Sequence, residues 1–283
     1  MSQYQLLDSG DFKKLEQVGD YRIVRPSASA VWRPTLSEKD WSKWDAQFFR
    51  HSDGGGDWKI QNKNTPESWT ISASPVSFKV KLTGFGHMGV FYEQYKNWLQ
   101  IHEIIKTRLK KESAPLRVLN LFAYTGGSTL FAAHAGAEVV HLDASKTSVQ
   151  WARENAELSK LSDKPIRWIV DDVQEFVKKE AKRGRTYHGV ILDPPSYGRG
   201  AKNQVWKIED HMLPLLFAIK KIMAPDFLFL LLSSHSPGYT PVSLTNLLET
   251  ITPQGLCSAD EMVIEDTQKR RLPSGSYGLW VAK

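Results

Sequence analysis

The sequence predicts an α/β fold: a largely parallel sheet wrapped by helices on both faces, preceded by a smaller β-rich region. Three observations carry that expectation. From residue 117 onward, short apolar runs alternate strictly with helical segments, the pattern of β-α-β units whose right-handed crossovers cover both faces of a sheet. Leu228–Leu232 is continuously apolar, as a strand buried on both sides should be. Arg117–Gly127 reads as a buried strand running into a glycine pair and then a helix, the first unit of a nucleotide-type site with its ligand beyond the carboxyl end of the strand.

Taken in order, residues 1–60 are β-rich and irregular. Tyr21-Arg-Ile-Val and Ala30-Val-Trp alternate weakly, and His51–Trp58, with Gly54, Gly55 and Gly56, reads as a turn. Trp32, Trp41, Trp44, Phe48, Phe49 and Trp58 form a dense aromatic group. They suit the core of a satellite subdomain, with base stacking as the sharper alternative. Ser74–Leu82 alternates as a half-buried strand does, and Gly84–Phe91 is a glycine-punctuated strand candidate. From Glu93 to Lys111 the period is helical, with Trp98, Leu99, Ile101, His102, Ile105 and Leu109 on one face. Lys106, Arg108, Lys110 and Lys111 complement the end of that helix. A boundary at 110–115 divides the chain into 1–112 and 113–283.

In the second part, strands are expected at 117–123, 138–143, 166–171, 189–193 and 227–233. The helices between them fall at about 127–135, 146–160, 172–182 and 206–223, and another runs over about 241–251. Met262-Val-Ile and Tyr277–Ala282 complete seven strands, the last two antiparallel.

Composition narrows the class. A chain of 283 residues can bury a substantial core. Its single cysteine, Cys257, excludes a disulfide framework and cysteine-only zinc sites. No apolar run approaches the ~20 residues of a membrane span, and Met1-Ser-Gln-Tyr-Gln lacks a signal-peptide pattern. The expectation is a cytoplasmic protein without metal or membrane. A net charge of +6 leans towards an anionic partner, most simply nucleic acid.

The chemistry is concentrated at the ends of the strands. The glycine turn lacks G-x-G-x-x-G, with Tyr124 where one glycine would stand. An adenosine ligand without a pyrophosphate demands less bare backbone than a dinucleotide, and S-adenosylmethionine (SAM) is such a ligand. Read alone, the stretch also fits an ordinary buried βα turn. Asp143 closes the second strand, where a carboxylate suits a ribose diol or caps the next helix. Asp171-Asp172 closes the third, where one carboxylate can meet an adenine amino group or again serve as a cap. Asp172 is preferred, because Asp171 falls within the expected strand. Asp193-Pro-Pro-Ser-Tyr197 closes the fourth. Its two prolines remove two backbone donors, leaving carbonyls beside the Asp193 carboxylate as an acceptor-only pocket suited to an exocyclic amine. Tyr197 is placed to stack on a flipped base.

Together these motifs, Asn120–Gly127, His141-Leu-Asp-Ala-Ser145, Asp171-Asp-Val and Leu192–Tyr197, resemble the class I SAM-dependent methyltransferases that modify bacterial 23S ribosomal RNA. The likeness covers 117–283. Leu6–Gly10, Arg25-Pro, Ala30–Pro34 and Gly89–Gln94 also resemble that family's N-terminal region. The resemblance implies a Rossmann-like seven-stranded catalytic domain and an N-terminal RNA or substrate subdomain. It implies that Asn120, Ala123, Tyr124, Thr125 and Gly126 line the methionine end of SAM, and that Asp143, with Ala144 and Ser145, takes the ribose. Asp172, with Asp171, lies by the adenine, Glu93 and Gln94 pack near the cofactor, and Asp193, Pro194 and Tyr197 face the reacting centre.

One departure bears on the acceptor atom. Relatives that methylate cytosine C5 add a cysteine thiolate to the ring first and carry it just after the fifth strand, where this chain reads Ser233-Ser-His-Ser236. Cys257 lies before the sixth strand, as a bystander. A ring or exocyclic nitrogen of large-subunit ribosomal RNA is therefore the expected acceptor, with His235 as base or stacking partner or as a plain loop residue. Arg199, Lys202 and Lys207, and Lys269, Arg270 and Arg271, are candidate phosphate contacts. Lys178, Lys179, Lys182, Arg183 and Arg185 form the densest basic run, on the opposite side of the sheet. The alternatives are a protein or small-molecule methyltransferase, a cytosine-C5 enzyme, and a non-catalytic RNA-binding relative. A nicotinamide oxidoreductase fails at the missing glycine and gives the Asp-Pro-Pro motif no role.

Overall fold

The computed structural model describes residues 3–52, 54–112, 114–200, 204–252 and 254–283. Two compact units divide the chain: Met1–Tyr95 with Val263–Ser274, and Lys96–Met262 with Gly275–Lys283.

In the first unit, β1 (Tyr4–Gly10), β2 (Lys13–Val18), β3 (Tyr21–Pro26), the short α1 (Glu38–Trp41), β4 (Ala46–Arg50) and β5 (Gly56–Ile60) follow in order. The strands form a sheet in that same order, antiparallel except where β4 runs parallel to β3. β6 (Ser68–Ala73) and β7 (Val76–Lys81) make a separate hairpin. Ala30-Val-Trp is a loop rather than a strand, its carbonyls taken by the Asp11 and Phe12 amides of the β1–β2 turn. Gly84–Phe91 forms turns, and the expected turn over 51–58 is shorter, because β5 begins at Gly56.

The N-terminal motif residues are spent inside this unit. Asp8 is fully buried and accepts from the amides of Ser9, Thr35 and Leu36 and from the Trp41 indole. Trp32 donates to Ser9 O and Trp58 to Thr83 O, while Phe48 is buried. Most of the aromatic cluster is therefore core or anchored by its polar tip. Glu16, also fully buried, receives the Tyr4 hydroxyl and a two-nitrogen fork from Arg25, with Lys14 3.1 Å away.

In the second unit, α2 (Tyr95–Lys111) precedes β8 (Arg117–Leu121), α3 (Gly127–His134), β9 (Glu138–Asp143), α4 (Lys146–Leu158), β10 (Ile166–Val170), α5 (Val173–Lys182) and β11 (Gly189–Leu192). A small hairpin, β12 (Tyr197–Arg199) with β13 (Val205–Lys207), leads into α6 (Ile208–Lys220). β14 (Phe229–Ser234), α7 (Pro241–Ile251), β15 (Leu256–Glu265) and β16 (Arg271–Val281) complete the chain. The sheet order is β10-β9-β8-β11-β14-β16-β15, with the first five parallel and β16 antiparallel to β14.

Strand alternation sorts the apolar runs onto two faces. Val118, Ile191 and Leu231 meet Ile101 and Ile105 of α2 and Ala132 and Ala133 of α3. Leu119, Leu121, Val190, Leu192, Leu230 and Leu232 meet Phe176 of α5, Leu216 of α6 and Leu248 of α7. Because α2 supplies that first face, it belongs to this unit. Leu99, expected on its buried face, is 42% exposed, while Asn97 and Trp98 turn inward. The β12–β13 hairpin occupies residues read as loop and the start of a helix, so α6 starts two residues later than expected.

Burial alone would raise Glu16, but Arg25, Lys14 and the Arg25 and Tyr4 hydrogen bonds outweigh it and bring the carboxyl down to about 2. A depressed carboxyl stabilises fully above its ordinary value and loses that contribution as pH falls through the folded value. Acid unfolding of the first unit is therefore expected between about pH 4.5 and 2. Glu16→Ala should lower its stability by about 3–5 kcal/mol, since Arg25 is left buried and unpaired, and should remove that acid transition. Denaturant melts of wild type and variant across pH check this.

Candidate functional site

The site is built on the carboxyl edge of the parallel strands. β8 does not end in a simple turn. Phe122 and Tyr124 adopt φ of +55° and +47°, and Gly126 follows at +90°. Two side-chain-bearing residues in left-handed conformation are uncommon and costly, and persist only where surrounding contacts enforce them. Tyr124 thus takes the backbone shape usually left to the glycine it replaces.

Those enforcing contacts are visible. The Ala123 amide donates to Leu142 O and the Tyr124 amide to Asp143 Oδ2 at 2.8 Å, while Ser145 N donates to Asp143 Oδ1 at 2.8 Å. Asp143 therefore clamps the loop instead of capping α4, whose cap is Ser145. Burial raises the Asp143 carboxyl, with the Ser145 and Tyr124 amides pulling it back down. From beneath, Asn155 of α4 donates to Thr125 O at 2.9 Å. Asn120, buried on β8, donates to Thr129 Oγ1, which lies 2.9 Å from His141 Nδ1. Burial holds His141 neutral, down to about 3.

The glycine pair has two different reasons to exist. A Cβ on Gly126 would meet Ala152 at 3.1 Å and force a left-handed side chain, whereas one on Gly127 would lie 2.4 Å from the Trp98 indole. Gly126 caps α3 with no side chain, leaving the first amides of that helix facing out of the loop.

Strand order sets the rest. Asp171 N donates to Asp143 O at 3.3 Å, and Leu192 is level with Leu121, so Asp193 stands beside Phe122. β9, β8 and β11 are consecutive, which puts Asp143 and Asp193 about 10 Å apart at ~4.8 Å per strand. Asp193 Oδ1 lies 3.5 Å from His235 Nδ1, and both side chains are about one-third exposed. Ser196 and Ser236 hydroxyls are 2.7 Å apart, joining the Asp-Pro-Pro turn to the loop after β14. The Pro195 carbonyl is occupied by the Trp206 indole at 2.7 Å. Among the described residues the Pro194 carbonyl accepts no hydrogen bond, so one carbonyl of the expected acceptor pair is open. Trp206 packs on Phe122 at 4.8 Å, and Tyr197, on β12, is 55% exposed.

Other expected residues have prior engagements. Asp172 caps α5 through Glu175 N, and Asp171 pairs with Lys179 at 2.7 Å. Gln94 is buried in the 3-10 turn Tyr92–Gln94 of the first unit. Arg270 lies over Trp32 and donates to Arg33 O and Ser9 O, while Lys269 pairs with Glu265. Lys178 and Arg183 pair with Glu175 and Glu180. Arg199 is exposed on β12, and Lys202 lies outside the described residues. Cys257 is on the edge strand β15, its thiol pushed up by burial. Thr129, His141, Asn155, Trp206 and Ser236 were not anticipated. Thr129, His141 and Asn155 signal themselves only as polar residues buried in strands and helices, and Trp206 and Ser236 carry no such signal.

A loop clamped by a carboxylate, an uncapped helix start and a second acid two strands away fit an adenosine ligand with a reacting group at its far end. A family model described as S-adenosylmethionine-dependent methyltransferase matches residues 43–228. The chain belongs to that family. A SAM-dependent methyltransferase from Agrobacterium tumefaciens is 38% identical, with a TM-score of 0.94 over 99% of this chain and 91% of that one. The ribosomal RNA large subunit methyltransferase K/L of a Shewanella strain is 29% identical over 152 residues, 53% of this chain and 20% of its own length. The large subunit methyltransferase I of Aeromonas salmonicida is 30% identical over 139 residues, 49% of this chain and 33% of its own. The chain thus spans a fifth to a third of these curated relatives. The cofactor is SAM. No helix among the described residues is long and apolar enough to cross a membrane, and they contain no group of three or more potential metal ligands.

Asp143→Ala removes the carboxylate that clamps the Tyr124 and Ser145 amides. A charge-assisted hydrogen bond contributes about 1.5–3 kcal/mol, so SAM affinity should fall roughly 10- to 100-fold by calorimetry while the melting midpoint moves little.

Proposed function

We propose that this methyltransferase acts on a base of RNA, at a ring or exocyclic nitrogen, with large-subunit ribosomal RNA as its substrate class. The observation that carries this reading is the Asp193–Pro194 turn, which presents a carboxylate and an open carbonyl together with His235 and an exposed Tyr197. Both oxygens accept hydrogen bonds, which suits an N–H acceptor group. In the same reading the Tyr124–Gly126 loop and Asn120 hold the methionine end of SAM, with Ala123 and Thr125 in its wall. Asp143, with Ala144 and Ser145, takes the ribose, and Asp172, with Asp171 beside it, borders the adenine. Gln94 is assigned to the cofactor's surroundings on resemblance alone.

SAM supplies a sulfonium-activated methyl group. The protein's part is alignment and exclusion of water, since transfer between two held centres gains most from orientation. Asp193 Oδ and the Pro194 carbonyl would hold the amine with its lone pair towards the methyl carbon, and Tyr197 would stack on the extruded base. As the methyl passes from sulfur to nitrogen, Asp193 would accept the amine proton, with His235 Nδ1 3.5 Å from its Oδ1 as the next acceptor on the way to water.

A carbon acceptor is disfavoured, because the chain presents Ser233 to Ser236 where a thiolate would be needed. The names of the relatives above and the net charge of +6 favour RNA over a protein or small-molecule substrate, and the part of the chain before α2 is proposed as its RNA subdomain.

Protein-free ribosomal RNA incubated with methyl-labelled SAM should become labelled, and ribonuclease treatment should release all of the label. Label in protein that survives ribonuclease would favour the protein substrate. Asp193→Ala should reduce transfer by about a hundredfold or more, on the scale of a lost transition-state contact, with SAM affinity within about twofold of wild type.

A further inference from the structure

The amino edge of the same sheet carries a second feature that SAM chemistry does not use. A cavity of about 540 Å³ opens across the starts of β10, β9 and β8 and the residues leading into β11. Arg117, Lys164, Arg167 and Arg185 line it, against one carboxylate, Glu138. All four cations are exposed, and among the described residues none forms an ion pair. The nearby carboxylate that could have neutralised one of them, Glu180, is fully buried and already holds the Tyr187 hydroxyl and Arg183. Arg117 is steadied by Thr186 Oγ1 at 3.2 Å. Pro165 and Ile166 give the floor an apolar strip between the charges.

Unpaired, solvated cations arranged around an apolar strip suit a phosphodiester chain with its sugars against the floor. A small anion would instead call for an enclosed site that buries most of its surface, and the open rim lets a polymer pass through. We propose that this groove binds the sugar-phosphate backbone of the substrate RNA, as an anchor remote from the transfer site. It rests on the RNA reading given above. β8 spans five residues, so the groove and Asp193 lie on opposite sheet edges roughly 15–20 Å apart at ~3.3 Å per residue. The bound RNA must therefore be long enough to pass around the sheet.

The test is steady-state methylation of protein-free ribosomal RNA by the full chain, comparing wild type, the double variant Arg167→Glu/Arg185→Glu, and the charge-matched control Lys110→Glu/Lys111→Glu. Losing two phosphate contacts should raise KM for RNA roughly tenfold near 0.15 M salt and lower the slope of log affinity against log salt by about 1.4. kcat at saturating RNA and the SAM dissociation constant should stay within about twofold, and the control should match wild type. An unchanged RNA KM in the groove variant, with wild type active on RNA, overturns the anchor and leaves the groove to an acidic protein partner. An equal rise in the control overturns it too, since net charge alone would then explain the loss. A wild type that binds SAM but methylates no RNA would instead sink the RNA reading itself.

Discussion

One carboxylate holds this site in shape. Asp143 receives the Tyr124 and Ser145 amides at 2.8 Å each, tying the loop after β8 to the end of its neighbour β9. Without that clamp, Phe122 and Tyr124 would lose a main restraint on positive φ, a conformation that an unconstrained side-chain-bearing residue leaves. The clamp also explains the raised carboxyl: the group is partly desolvated to be within reach of the loop, and its two amides make that tolerable. The ribose reading adds to this role, because each oxygen retains a second lone pair.

Beneath the clamp lies a chain of polar groups with no charge. Asn120, Thr129 and His141 connect β8, α3 and β9 inside an otherwise apolar layer. A buried histidine brought down to about 3 is neutral at every working pH, so this chain acts as fixed dipoles and not as a titrating switch. Gly127 against Trp98 adds a steric constraint from α2. The loop is thus located by a carboxylate above, amides below and an indole at its side, a division that leaves Asp193 and His235 free to be only partly buried.

Much of this was legible in the sequence, and its limits have physical causes. The parallel strands announced themselves because burial on both faces leaves no polar alternation, as in Leu228–Leu232. Asp143 and Asp193 were placed correctly at strand ends because chain topology alone puts them there. The β12–β13 hairpin was not visible, since three-residue strands carry too little pattern. Trp98 is buried as expected, but Leu99 was assigned to the wrong face of α2, because apolarity does not show that the polar Asn97 faces inward. Gly127 looked like part of a nucleotide turn, yet its contact is with a residue 29 positions earlier in the chain. The basic residues Lys269 and Arg270 looked like phosphate contacts, but their partners, Glu265 and Trp32, are a matter of tertiary placement. The carbonyls of the Asp-Pro-Pro turn were expected to be free, and only the hairpin's Trp206 shows why that of Pro195 is not.

The central claim is that a carboxylate and a carbonyl, with no thiolate, prepare the acceptor atom. Digesting enzymatically methylated ribosomal RNA to nucleosides and separating them by mass spectrometry tests it most directly. The added methyl should appear on a nitrogen of guanosine, adenosine or cytidine. Methyl found only in 5-methylcytidine would contradict it.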